Sequence, residues 1–117
     1  MKKSKKLLLT FLSFLFFFSA TNNQDPFLKK YFTALNKKKF HQAIRIMKRA
    51  AAIYRGKYQY YGRIGQAYGK YYNITRKRGH VTLSIKYLLR SLKMARNRRI
   101  QYDEYLWIAK ELSISVF

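Results

Sequence analysis

Apolar side chains along this chain recur at intervals of three and four, and no stretch shows sustained strand-like alternation with turn signals. The spacing predicts a helix from 26 to about 36. Asp25 serves as its N-cap because a carboxylate accepts orphan amide protons, and Pro26 follows because proline has no amide proton to lose. A second helix carries Phe40, Ala43, Ile44, Met47, Ala50, Ala51 and Tyr54 on one stripe, with Arg45, Lys48 and Arg49 largely off it and Gly56 as its stop. Further helices are predicted from about 58 to 74, 82 to 96 and 102 to 112, with breaks at Gly79 and Asn97. On the fourth, Ile85, Leu88, Leu92 and Ala95 make the apolar stripe, while Lys86, Arg90 and Lys93 make a basic one. The fold class is all-α, with four to five amphipathic helices in an extended or hairpin arrangement.

Residues 1–20 follow a different pattern and are set apart from the helical domain expected over 21–117. Lys2, Lys3, Lys5 and Lys6 precede a mostly apolar run over 7–18, and the small residues Ser19 and Ala20 follow, which is the order of a secretory leader. The run falls short of the roughly 17 to 25 residues that cross a bilayer. Phe18 stands where a cleavage site after Ala20 wants a small side chain. The competing readings are an organellar extension and a membrane or protein contact made through residues 7–18, although the absence of Arg is unlike a mitochondrial transit peptide.

Charge changes the picture most. The chain of 117 residues has 26 Lys and Arg against 4 Asp and Glu, a net charge of +22. The acids are Asp25, Asp103, Glu104 and Glu111, so residues 26–102 hold no carboxylate. Such a body calls for a polyanion, nucleic acid or an anionic membrane face, while 49% hydrophobic content is too high for a disordered tail. There is no cysteine, so thiolate zinc sites and disulfides are excluded. His41 and His80 are far apart in sequence and Asp103 and Glu104 diverge on a helix, so no catalytic site, metal, cofactor or small-molecule substrate is expected. Gly62, Gly65 and Gly69 lack phosphate-loop spacing but share a helical face that admits a close neighbour.

Seven of the eleven tyrosines lie within 54–72, among Arg55, Lys57, Arg63 and Lys70, a mixture that suits stacked bases and held phosphates. Tyr54, Tyr58, Tyr61, Tyr68 and Tyr72 follow a core stripe, which leaves Tyr60 and Tyr71 as the better outward candidates. Basic clusters at Lys37, Lys38 and Lys39, at Arg76, Lys77 and Arg78, and at Arg96, Arg98 and Arg99 fall at helix ends and point to phosphate contacts.

Two patterns extend this reading. With a period of 34, Phe27, Ala34, Ala43, Met47 and Ala50 occupy positions that a tetratricopeptide unit fills with apolar or small residues. Tyr61, Ile64, Gly65 and Tyr68 continue it, and about two extra helical turns bring Ser84, Leu88 and Ser91 into place. An exported tetratricopeptide-like binding protein, secreted or periplasmic, follows from that pattern, and Asn73-Ile74-Thr75 would be a glycosylation acceptor in a eukaryotic secretory route.

The blocks Ile46-Met47-Lys48-Arg49-Ala50, Tyr54-Arg55-Gly56-Lys57, Arg96-Asn97-Arg98-Arg99 and Leu106-Trp107-Ile108-Ala109-Lys110 resemble bacterial-type large ribosomal subunit protein twenty, in a divergent organellar form. The last block is the most specific, since it uses the one Trp. The match requires an insertion near 74–83, and the family continues into a helical domain where this chain has seven residues after Lys110. The resemblance implies a structural constituent of the large subunit, bound to ribosomal RNA and neighbouring ribosomal proteins and supporting assembly, in a mitochondrion. It implies phosphate contacts by Lys48, Arg55, Lys57, Arg63, Arg96, Arg98 and Arg99, and packing by Trp107. The full candidate RNA-binding set is Lys48, Arg49, Arg55, Lys57, Tyr60, Arg63, Arg76, Lys77, Arg78, Arg96, Arg98 and Arg99.

Overall fold

The computed structural model describes residues 25–116, so the segment read as leader or extension over 1–20 lies outside the described residues. Five helices follow one another: α1 Pro26–Asn36, α2 Phe40–Ile53, α3 Tyr58–Thr75, α4 Arg78–Asn97 and α5 Tyr102–Val116. Each packs on the next, and α5 also reaches back to α3. The described residues are all-α, a row of helical hairpins.

The helix ends explain the punctuation. Asp25 caps α1 as its sequence suggests, accepting from the amides of Phe27 at 2.9 Å and Leu28 at 3.4 Å. At the end of α1, Lys38 adopts a left-handed φ of 58° while Lys39 N donates to Ala34 O at 2.9 Å and Lys38 N to Leu35 O at 2.9 Å. The same paired closure ends α4: Arg99 has φ 56°, Ile100 N donates to Ala95 O at 3.1 Å and Arg99 N to Arg96 O at 3.0 Å. Arg76 closes α3 with φ 56°. Glycine or asparagine is usual at such positions, and a Cβ there costs about 1 to 2 kcal/mol. A cation beside the carbonyl end of a helix offsets part of that cost.

The core has two parts. Tyr31, Ala34 and Leu35 of α1 pack with Phe40, Ala43, Ile44, Met47, Ala50 and Ala51 of α2, on Tyr60, Ile64 and Ala67 of α3. A smaller cluster joins Tyr58, Leu88, Ala95 and Ile108. Between α3 and α4 the backbones come close at Gly65, where a Cβ would stand 2.6 Å from Leu88 Cγ and 2.9 Å from Ser84 O. The hydroxyl of Ser84 donates to Gly65 O at 2.7 Å, and that of Ser91 to Tyr58 O.

Four details correct the sequence reading. Gly79 is not a break: α4 begins at Arg78, and Gly79 sits in its first turn with open space around it. The buried stripe of α4 is Ser84, Leu88, Ser91 and Ala95, with Ile85 and Leu92 half-buried beside it. Serine wins the inner positions because its small side chain permits close approach and its hydroxyl bonds a carbonyl of α3. Tyr54, expected in the core, is 48% exposed, and α5 continues to Val116.

Two substitutions separate packing from helix propensity. Gly65→Ala is expected to lower the melting temperature, since overpacking costs about 1 to 3 kcal/mol against a propensity gain of about 1 kcal/mol. Gly79→Ala, with nothing to collide with, is expected to leave it unchanged or raise it. Thermal unfolding followed by far-ultraviolet circular dichroism checks both; a Gly65→Ala protein as stable as the parent would contradict the close approach.

Candidate nucleic-acid interface

Antiparallel hairpins sort their turns to alternate ends. At one end the α1–α2 turn meets the α3–α4 turn. There the hydroxyl of Tyr71 lies 2.8 Å from His41 Nε2, and its ring stacks on Phe40, with centroids 5.2 Å apart, and on His80, at 4.4 Å. At the other end the α2–α3 turn meets the α4–α5 turn, where the guanidinium of Arg98 lies against Gly56 so closely that a Cβ would stand 2.7 Å from Nη2. The 18 residues of α3 separate the two ends by about 27 Å at the helical rise.

Ten of the twelve candidate residues are exposed. Arg76, Lys77 and Arg78 lie at the first end; Arg55, Lys57, Arg96, Arg98 and Arg99 gather at the second. Lys48 and Arg49 flank α2 between them. Lys48 Nζ is held 5.8 Å from the Tyr68 ring and 6.0 Å from the Tyr87 ring, with the Tyr68 hydroxyl 3.4 Å away.

Tyr60 and Arg63 leave the candidate surface. Tyr60 is 1% exposed, packed edge-on against Phe27, and its hydroxyl donates to Asp25. Burial pushes its pKa well above the ordinary phenol range, and the bond to Asp25 adds to the shift. Arg63 is a tie between elements: its guanidinium carbon lies 3.7 Å from the Trp107 ring and 4.8 Å from the Phe32 ring. Its Nη1 donates to Gln66 Oε1 at 3.1 Å, and burial lowers its pKa. Tyr71, the other outward candidate, is half-buried in its stack. Helical spacing places a residue on a face of its own helix; it does not say that α1 and α5 cover that face.

The network around Arg63 escaped sequence reasoning. The Tyr31 hydroxyl donates to Gln66 Oε1 at 2.7 Å, and Gln66 Nε2 donates to Glu111 Oε1 at 2.9 Å, so α1, α3 and α5 share one buried polar knot. No short motif marks it, since its members are up to 80 residues apart, and the lone Trp was the one available pointer.

The ends also differ in acid content. Asp25 caps α1 at the second end, and Asp103 and Glu104 occupy the first turn of α5 there. Glu111 lies inside, on Gln66. Among the described residues the first end therefore carries cations and histidines without a carboxylate. The N-caps Lys39, Lys57 and Lys77 make no side-chain cap bond, and the first turns of α2, α3 and α4 hold no acid. This is an arrangement that receives anions.

Two expectations follow. Arg63→Ala is expected to destabilise the fold by about 2 to 4 kcal/mol, through lost ring contacts and one lost hydrogen bond to Gln66, without lowering affinity for a polyanion; melting and binding isotherms on one preparation separate the two. Tyr31, like Tyr60, has a phenol pKa raised mainly by burial above its ordinary 10.0. A raised phenol pKa contributes stability that is intact below about pH 10 and lost as pH rises above it, because the unfolded chain ionises first. Melting temperature is thus expected to fall steeply above about pH 10, and Tyr31→Phe to flatten that slope.

No protein-family model, curated protein or solved structure matches this chain.

Proposed function

We propose that the chain is a non-enzymatic binding protein whose partner is RNA, held through backbone phosphates at the two cationic ends of a helical-hairpin array. The observation that carries this reading is the gathering of exposed Lys and Arg from separate turns onto common ends, one of them free of carboxylates among the described residues. At the first end phosphate, not base, is the group recognised, because the Tyr71 ring is stacked between Phe40 and His80; at the second end Tyr54, 48% exposed beside Lys57, leaves room for a base as well. An anionic lipid surface fits less well, because the cations collect at helix ends instead of bordering one apolar face, and no described helix is long and apolar enough to cross a membrane.

The finer proposal is a constituent of the large ribosomal subunit, in a mitochondrion, binding ribosomal RNA beside neighbouring ribosomal proteins. Its support is spatial: the block around Gly56 and the block around Arg98, some forty residues apart, lie in contact. A second reading, an exported tetratricopeptide-like binding protein, is favoured by the close approach of Gly65 to Ser84 and Leu88, three positions of the 34-residue pattern.

Fluorescence anisotropy with a short single-stranded RNA at several salt concentrations tests the RNA proposal. Four or more phosphate contacts give a log-log salt slope of about −3 or steeper; salt-insensitive binding, or none at low salt, would overturn it. Comigration with a large ribosomal subunit on a density gradient, abolished by ribonuclease, supports the ribosomal form, while a slow peak indifferent to ribonuclease supports the exported one.

A further inference from the structure

The acid-free end of the array holds a cleft of about 310 Å³ lined by Lys38, Lys39, His41, Gln42 and Arg45. Phe40 and Tyr71 form its apolar wall. Lys38 and Lys39 come from a basic cluster that the sequence marks for phosphate contacts and Tyr71 from its outward tyrosines, while the twelve-residue RNA-binding set contains none of the lining.

Three features specify what the cleft takes. Its lining brings three permanent cations and an imidazole together without a carboxylate, and such a cluster repels itself until an anion enters. Both faces of the Tyr71 ring are covered, by Phe40 and by His80, so no flat ring enters between them. The ligand is therefore compact and anionic, not a stacked base. Finally, the Tyr71 hydroxyl engages His41 Nε2 at 2.8 Å, which fixes the imidazole and leaves Nδ1 for a ligand oxygen. The start of α2 adds to this: Phe40, His41 and Gln42, which line the cleft, carry first-turn amides that no helical carbonyl reaches.

Resting on the RNA reading above, we propose that this cleft is a phosphate-binding site for the RNA backbone, with His41 and Arg45 donating to phosphate oxygens and Lys38 and Lys39 adding charge. Binding is coupled to protonation of His41. The groups that face it are Lys38 and Lys39 from the turn, Gln42 and Arg45 from α2, and Tyr71 from α3, with His80 of α4 on the far side of the Tyr71 ring. A bound phosphate favours the imidazolium over the neutral ring. Affinity accordingly rises as the solution becomes acidic enough to protonate histidine.

The test uses the full chain and a labelled uridine oligomer of about ten nucleotides at low salt, at about pH 6 and about pH 8. Lys38→Gln with Arg45→Gln is expected to weaken binding about tenfold or more. His41→Gln is expected to remove the gain that the parent shows at the lower pH, and the His41 ring signals in nuclear magnetic resonance are expected to titrate at higher pH with RNA bound. Far-ultraviolet circular dichroism establishes that each variant is folded. If the double variant and His41→Gln bind as the parent does while Arg98→Gln with Arg99→Gln does not, the RNA reading stands and the cleft assignment is overturned. If inorganic phosphate or uridine monophosphate displaces the oligomer at concentrations near the oligomer's own Kd, the site belongs to a small phosphate compound and the RNA assignment of the cleft is overturned. If the parent itself binds no RNA, both readings fall.

Discussion

The constraint that governs this protein is a shortage of carboxylates. With 26 basic residues and four acids, the chain cannot neutralise its cations by ion pairing, so other groups take that role. Aromatic faces are the first. Lys57 lies 5.4 Å from the Tyr54 ring, Arg76 5.6 Å from Tyr72 and Arg90 4.4 Å from Tyr61, while Arg63 lies between Phe32 and Trp107. Each such contact stabilises by about 0.5 to 2 kcal/mol, more as it is desolvated. Helix carbonyl ends are the second: Lys38, Arg76 and Arg99 all stand in left-handed closing positions beside them. The tyrosine richness of the chain is thus in large part an internal answer to its charge.

The same constraint shapes the interface. Hairpins put successive turns at alternate ends, and the close contact of Gly65 with Ser84 and Leu88 fixes how α4 lies along α3. That register sets His80 on the ring of Tyr71, whose hydroxyl in turn meets His41 of α2. Three of the four acids serve the starts of α1 and α5 at one end, where they counter helix dipoles. What remains at the opposite end is a cluster of cations and both histidines of the chain, with uncapped helix starts among them. Concentrating charge in this way is unfavourable for the isolated chain and favourable for one that meets a polyanion.

Local signals in the sequence were enough for most of the architecture. The Asp25 and Pro26 pair, the stripe from Phe40 to Ala51 and the acids at the start of α5 announce their elements directly, because capping and periodicity depend on residues within a few positions. The start of α4 was hidden: a glycine signals a break on its own, and nothing nearby says that Arg76 will take the left-handed turn instead. The inner stripe of α4 was hidden as well, since hydropathy favours Ile85 and Leu92 while the close crossing selects Ser84 and Ser91. At the interface, exposed cations at helix ends were legible. The burial of Tyr60 and Arg63 and the gathering of His41 and His80 on Tyr71 were not, because each depends on which helix covers which, a relation between residues of different helices.

The central claim is that anions are received at the ends of the array while Arg63, held by the rings of Phe32 and Trp107, stays inside. Amide and side-chain resonances recorded during an oligonucleotide titration test it most directly. The account requires perturbations concentrated in the four inter-helix turns and at His41, with the Trp107 indole and the Tyr60 ring unmoved. Perturbation centred on Trp107 and Arg63, with the turns silent, would contradict it.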